Sequence, residues 1–243
     1  MTENVIEIFS SIQGEGVYVG YRQAFLRLED CNLRCRYCDT EHTRGAHPFC
    51  RVQIDVDEPT FREVENPLSA RAAATYLALY TRTVPHQAVS LTGGEPLLHV
   101  EYIRELSSLL TVPILLETNG TLPEALAEVL SAVDIISMDM KLPSLTGREV
   151  WEEQRKFLRL AREKEIYIKI VMTSGVSLEE LERAFALVRS EDPNIPVILQ
   201  PVTPFGGVTA PAPAVLLQAQ RQALKGLRHV RVIPQTHVLM GQI

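Results

Sequence analysis

Three of the four cysteines fall within eight positions, Cys31, Cys35 and Cys38 of "CNLRCRYCDT" (31–40), at the spacing C-x3-C-x2-C. Three thiolates on one short loop can each take one iron of a four-iron four-sulfur cube, leaving the fourth iron open for chemistry. A structural zinc site competes, with His42 completing a Cys3His set. Spacing alone leaves both open. Cys50 stands apart and reads as a small core or loop residue.

Other segments carry polar groups in patterns that suit binding. In "LTGGEPLL" (91–98) Gly93 and Gly94 allow close backbone approach at a strand's C-terminal end, and Glu95 puts a carboxylate beside a positively charged ligand. The turn "QGEG" (13–16) sets an amide and an acid together, which suits a ring bearing both donors and acceptors. Glu117, in "LLETNGT" (115–121), ends a strand with an acid. Thr40 reads either as a turn cap or as an oxygen ligand for a hard cation.

Taken together, C-x3-C-x2-C with an aromatic residue, Tyr37, before its last cysteine and the "GGEP" turn resemble the radical S-adenosylmethionine enzymes. Within that superfamily the chain is similar, over nearly its whole length, to the 7-carboxy-7-deazaguanine synthase family; "EIFSSIQGEGVYVG" (7–20) looks like that family's opening. The resemblance implies a 4Fe-4S cluster on Cys31, Cys35 and Cys38 and a Mg2+ ion at Thr40. It implies S-adenosyl-L-methionine contacts from Tyr37, Cys38, Asp39, Gly94, Glu95 and Gln200, and from Asp139, Met140 and Lys141 in "MDMKLPS". For the substrate it implies Ile12, Gln13, Gly14, Glu15, Arg27, Thr92 and His237, with Glu117 as a catalytic residue beside it.

The implied reaction converts 6-carboxy-5,6,7,8-tetrahydropterin to 7-carboxy-7-deazaguanine with loss of ammonia, through a 5′-deoxyadenosyl radical that takes the C6 hydrogen. A flavodoxin or ferredoxin as electron donor, and a homodimer, are implied in the same way. Two other readings stand beside it: a glycyl-radical activating enzyme acting on a protein, and a zinc-stabilised binding module. The C-terminal residue, Ile243, is a further candidate for a substrate contact through its carboxylate.

The elements that must position these groups are legible as short apolar runs: "QAFLRLED" (23–30), "AVSLTG" (88–93), "PILLET" (113–118), "DIISMDM" (134–140), "IYIKIVM" (166–172), "PVILQPV" (196–202) and "VRVIP" (230–234). Runs of this kind between helical patterns are how a parallel α/β sheet covered on both faces looks. In "SLEELERAFALVRS", Leu178, Leu181, Phe185 and Val188 recur at helical spacing, and Ser177 with Glu180 reads as a capping box. The expected fold is a single α/β domain over 1–243, a partial TIM-like barrel of about six βα units. Residues 42–66 are expected to be an irregular insertion, and 201–214 a second irregular loop.

Composition sets the outer limits. Of 243 residues, 46% are apolar and 22% charged, close to globular averages, and the formal charge is −6. Nothing there favours a nucleic-acid or polybasic membrane surface. The N-terminus lacks a basic start with an apolar run, and no stretch approaches the roughly 18 to 20 apolar residues of a membrane span, so a soluble cytoplasmic protein is expected. In that reducing setting the clustered cysteines point to metal or chemistry rather than disulfides.

Overall fold

The structure is a computed structural model that describes residues 1–38, 45 and 47–242. Six strands precede the first long helix: β1 (Thr2–Glu3), β2 (Val5–Ile12), β3 (Arg22–Leu28), β4 (Phe49–Asp55), β5 (Glu58–Glu65) and β6 (Leu68–Ser69), then α1 (Ala70–Thr83). Strand and helix alternate thereafter: β7 (Val89–Gly93), α2 (Val100–Ser107), β8 (Ile114–Thr118), α3 (Pro123–Val129), β9 (Ile135–Asp139), the short α4 (Pro143–Thr146), α5 (Trp151–Ala161) and β10 (Glu165–Met172). The chain ends through α6 (Leu178–Glu191), β11 (Val197–Pro201), α7 (Pro213–Ala223), β12 (Val230–Val232) and α8 (Thr236–Leu239).

Among the described residues one sheet of ten strands runs β12-β11-β10-β9-β8-β7-β3-β2-β4-β5. Every neighbouring pair from β3 to β12 is parallel. β3, β7, β8, β9, β10 and β11 are each followed by a helix before the next parallel strand, which are the six βα units of the expected partial barrel. These strands are almost wholly buried because helices cover one face and the site or core the other, so their sequences are continuous apolar runs. From β2 to β11 there are six strand intervals, about 29 Å on a flat sheet. Residues of both strands nevertheless line one cavity, so the sheet curls around it.

The expectation of an irregular insertion over 42–66 needs correction. Residues 49–65 form the antiparallel hairpin β4–β5, and β4 pairs in parallel with β2, extending the sheet. The reason it escapes a periodicity reading is its edge position. β4 buries Cys50, Val52 and Gln53, while β5 carries Glu58, Arg62, Glu63 and Glu65 exposed, a charged rim of the kind that prevents further strand pairing. Cys50 is fully buried, as a core residue should be. Of the loop expected over 201–214, residues 202–212 are irregular apart from the Phe205–Val208 bridge, while Pro201 ends β11 and Pro213 opens α7.

Helix caps behave as their sequences demand, with one change. Ser69 accepts a bond from Ala72 N (3.2 Å) at α1 and Ser177 one from Glu180 N (3.2 Å) at α6. The Glu180 carboxylate, expected to turn back on its own helix, instead accepts from Ser144 N (3.0 Å) and so ties α6 to α4. No helix of the described residues is long and apolar enough to cross a membrane.

Candidate active site

The cysteine loop leaves β3 by a turn at Asp30, whose φ of 65° is unusual for a residue with a side chain. The "GGEP" turn at the end of β7 docks directly on it: Gly94 N donates to Leu28 O (3.3 Å) and Glu95 N to Asp30 O (2.8 Å). A Cβ on Gly93, at φ 125°, would stand 2.1 Å from Leu28 O, and one on Gly94 1.8 Å from Asp30 O. Only residues without a side chain let the two turns meet this closely.

Glu95 departs from the expected role. Its carboxylate is fully buried and accepts from Leu97 N (3.1 Å), Thr118 Oγ1 (2.8 Å) and Asn119 N (2.7 Å). Neither Glu95 nor Met140 is among the described residues that line the cavity. Glu95 therefore braces the ends of β7 and β8, and Met140, 1% exposed, belongs to the core while its N–H bonds Lys169 O (2.8 Å).

The remaining cofactor residues converge. Cys31, Cys35 and Cys38 line one cavity of about 500 Å³ with Tyr37, Gly94, Asp139, Lys141 and Gln200. None of the cysteines is in a disulfide. The loop is held by Cys38 N bonding Cys35 O (3.2 Å), by Arg36 N bonding Leu145 O (3.0 Å) and by Asn119 Nδ2 bonding Asn32 Oδ1 (2.8 Å). Three soft sulfurs lining one cavity are the donor set that a four-iron four-sulfur cluster takes.

Lys141 Nζ lies 2.9 Å from Asp139 Oδ2 and 3.1 Å from Tyr37 Oη, over the Tyr37 ring at 5.1 Å. Burial pulls its pKa down, but the Asp139 charge beside it raises it well above the ordinary lysine value. Gln154, fully buried, fixes the Lys141 backbone by accepting from its N–H (2.6 Å) and donating to its carbonyl (3.1 Å). Asp139 Oδ1 and Gln200 Oε1 are buried with no hydrogen-bond partner among the described residues, and both residues line the cavity. Buried orphan acceptors are costly, so a ligand bearing amino and hydroxyl donors fits here.

The substrate residues meet in the same cavity. Glu117 accepts from Gln13 Nε2 (3.0 Å) and Ser90 Oγ (3.2 Å) on one oxygen and from Thr92 Oγ1 (2.9 Å) on the other. Gln13 Oε1 accepts from Glu15 N (3.0 Å), so the "QGEG" turn is folded onto its own amide. Ile12 and Gly14 line the same cavity, and Thr236 N donates to Gly14 O (2.9 Å), bringing α8 and His237 over the turn. Arg27 Nε is 2.8 Å from Glu7 Oε1.

Lys169 was not singled out from the sequence. It pairs with Glu15, whose other oxygen accepts from Gln235 Nε2 (2.8 Å). Burial alone pushes the Glu15 carboxyl up, yet Lys169 and the hydrogen bonds bring it down to about 2. The signal was a lone lysine inside the apolar strand "IYIKIVM", a position that demands a buried anionic partner. Asp39, Thr40, the zinc candidate His42 and Ile243 lie outside the described residues.

Residues 27–188 match the family model described as the Radical SAM superfamily. The chain is 40% identical over 242 residues to the 7-carboxy-7-deazaguanine synthase of Geobacter sulfurreducens, covering 98% of this chain and 96% of that protein. It is 35% identical over 248 residues to the 7-carboxy-7-deazaguanine synthase of Archaeoglobus fulgidus, covering 99% of each. The crystal structure of QueE from Escherichia coli shares the fold, with a TM-score of 0.62 at 19% identity over 97% of this chain and 94% of that one.

Proposed function

Since the chain belongs to the radical S-adenosylmethionine superfamily and, within it, to the 7-carboxy-7-deazaguanine synthase family, we propose that its cavity converts 6-carboxy-5,6,7,8-tetrahydropterin to 7-carboxy-7-deazaguanine with loss of ammonia. It is a radical S-adenosylmethionine lyase acting on a small molecule and needing a reductant, and its cofactors are a 4Fe-4S cluster and S-adenosyl-L-methionine. Family membership replaces the zinc-stabilised module and the protein-activating reading.

The observation that carries the substrate reading is the joining of Gln13, Thr92 and Glu117 within the cavity that the three cysteines also line. A charged carboxylate accepts from ring N–H and amino groups, while the Gln13 amide both donates and accepts, which suits a pterin. Arg27 takes the substrate carboxylate, with His237 lining the same cavity.

Bound together, cluster and S-adenosylmethionine supply one-electron chemistry that removes a hydrogen atom from the substrate. The chain's own share is to hold, orient and keep water out. Cys31, Cys35 and Cys38 hold the cluster. Lys141 meets the carboxylate of S-adenosylmethionine, Gly94 gives its backbone room, and Asp139 and Gln200 accept from its donors through their orphan oxygens. Tyr37 supports Lys141, and Asp39 lies next to the last thiolate in sequence. Glu95 and Met140 act from behind the wall as positioning residues.

A Mg2+ ion on Thr40 belongs to the same reading, since a hard cation takes an oxygen from the protein and keeps its waters beside a substrate carboxylate. So do a flavodoxin or ferredoxin as reductant and a homodimer, both of which follow from the family resemblance, and a cytoplasmic setting, which suits clustered free thiols. The deciding experiment is anaerobic incubation of cluster-loaded protein with reductant, S-adenosylmethionine, Mg2+ and the tetrahydropterin, reading product by mass. Release of ammonia and the deazaguanine mass are expected; cleavage of S-adenosylmethionine with no change in the pterin overturns the substrate.

A further inference from the structure

We propose that Arg51, on the β4–β5 hairpin, is a second guanidinium for the substrate's carboxylate, working beside Arg27; this deepens the functional reading above and rests on it. Strand register brings the two arginines together. Glu7 on β2 is the register partner of Arg27 on β3 and of Arg51 on β4, so the three side chains form one row on one face of the sheet. All three line the cavity. Thr92 on β7 continues the row as the partner of Arg27, and its hydroxyl bonds Glu117, so the row runs from the ring-binding cluster out to the hairpin.

Glu7 is 5% exposed and is shared: one oxygen lies 2.8 Å from Arg27 Nε, the other 3.5 Å from Arg51 Nη1. Among Glu7, Arg27 and Arg51 one buried carboxylate stands between two guanidiniums, so the acid is outnumbered there. Each guanidinium carries five N–H donors, far more than Glu7 can take. Glu63, the register partner of Arg51 on β5, is exposed, where water and salt screen it.

The two arginines are also supported alike. Arg27 lies over the Phe9 ring at 5.9 Å and Arg51 over the Phe61 ring at 4.4 Å. An aromatic face steadies a planar cation without using up its N–H donors. The Arg51 side chain is 54% exposed against 16% for Arg27, which puts Arg51 at the mouth and Arg27 inside. A carboxylate entering between them meets planar donors from both sides, an arrangement that a lysine cannot copy. The hairpin thus contributes to substrate choice as well as extending the sheet.

The test compares cluster-loaded wild type, Arg51→Ala and Arg51→Lys in turnover of the tetrahydropterin, and in calorimetric binding of 6-carboxypterin against pterin, which lacks the carboxylate. Arg51→Ala is expected to raise KM and weaken 6-carboxypterin binding by about tenfold, with kcat and pterin binding within twofold. Arg51→Lys should recover only part of the loss. Unchanged KM in Arg51→Ala, or equal weakening for both ligands, overturns the role of Arg51 while wild-type turnover still upholds the function. A wild type that makes no product overturns the functional reading, and this inference with it.

Discussion

Glu95 Oε2 accepts the Asn119 backbone N–H at 2.7 Å while its other oxygen takes Thr118 Oγ1 and Leu97 N, so the acid of the "GGEP" turn is spent on joining β7 to β8. Removing it leaves two buried N–H groups and a hydroxyl without an acceptor. Glu95→Ala is expected to cost about 2–4 kcal/mol of stability, seen as a lower midpoint in urea. Lys141→Ala should lower S-adenosylmethionine affinity as well as stability, since it strands the Asp139 carboxylate. Equal stability of wild type and Glu95→Ala would show that the brace is dispensable.

The Glu15–Lys169 pair makes a prediction about acid stability. The Glu15 carboxyl is lowered from 4.5 to about 2 in the folded chain, so the ionised form is what folding favours. The resulting stabilisation is fully present above about pH 4.5 and is lost as the pH falls towards 2. It amounts to about 3 kcal/mol as an order of magnitude. Urea unfolding of the wild type at pH 6 and pH 3 should show that acid-side loss, and Glu15→Gln should show a shallower one. Parallel pH profiles for the two proteins would refute the pairing.

Cysteine position gives a third contrast. Cys31, Cys35 and Cys38 line the cavity, whereas Cys50 is fully buried on β4, where burial pushes its thiol up to about 12. Cys35→Ala is expected to yield protein without the brown colour of the cluster and without S-adenosylmethionine cleavage. Cys50→Ala should keep both and lose about 1 kcal/mol of stability for its missing sulfur. Loss of colour in Cys50→Ala would place it in the metal site and overturn the assignment.

What could be read in the sequence depended on how each residue is covered. Strands β7 to β11 are buried on both faces, so "AVSLTG" or "PVILQPV" announces itself, and the residues at their ends could be placed at the site. The β4–β5 hairpin was lost because an edge strand needs few apolar positions, and with it went Arg51, whose meaning lies in its register with Glu7. Glu95 was legible as a functional type in a functional motif, but not the direction in which it bonds. Lys169 depended on a partner 154 residues away, a relation that no local pattern expresses.

The last prediction concerns Gly94, where geometry and chemistry are hardest to separate. A methyl group there would stand 1.8 Å from Asp30 O and 2.9 Å from Cys31 Cβ, contacts that backbone on either side cannot yield cheaply. The two turns would have to part, and Glu95 N would lose Asp30 O, its 2.8 Å acceptor. Because Asp30 leads into Cys31, the displacement reaches the first thiolate. Gly94→Ala is therefore expected to lower both the iron content after anaerobic reconstitution and the affinity for S-adenosylmethionine, each by about tenfold or more. Gly147, whose added Cβ would meet nothing within 4 Å, is the control for a glycine replaced in open space, and its φ of 71°, which Gly94 does not share, adds only left-handed strain. Gly147→Ala should cost about 1 kcal/mol of stability and leave iron content unchanged. If Gly94→Ala takes up iron as the wild type does, the close docking of "GGEP" on the cysteine loop is not what holds the cluster.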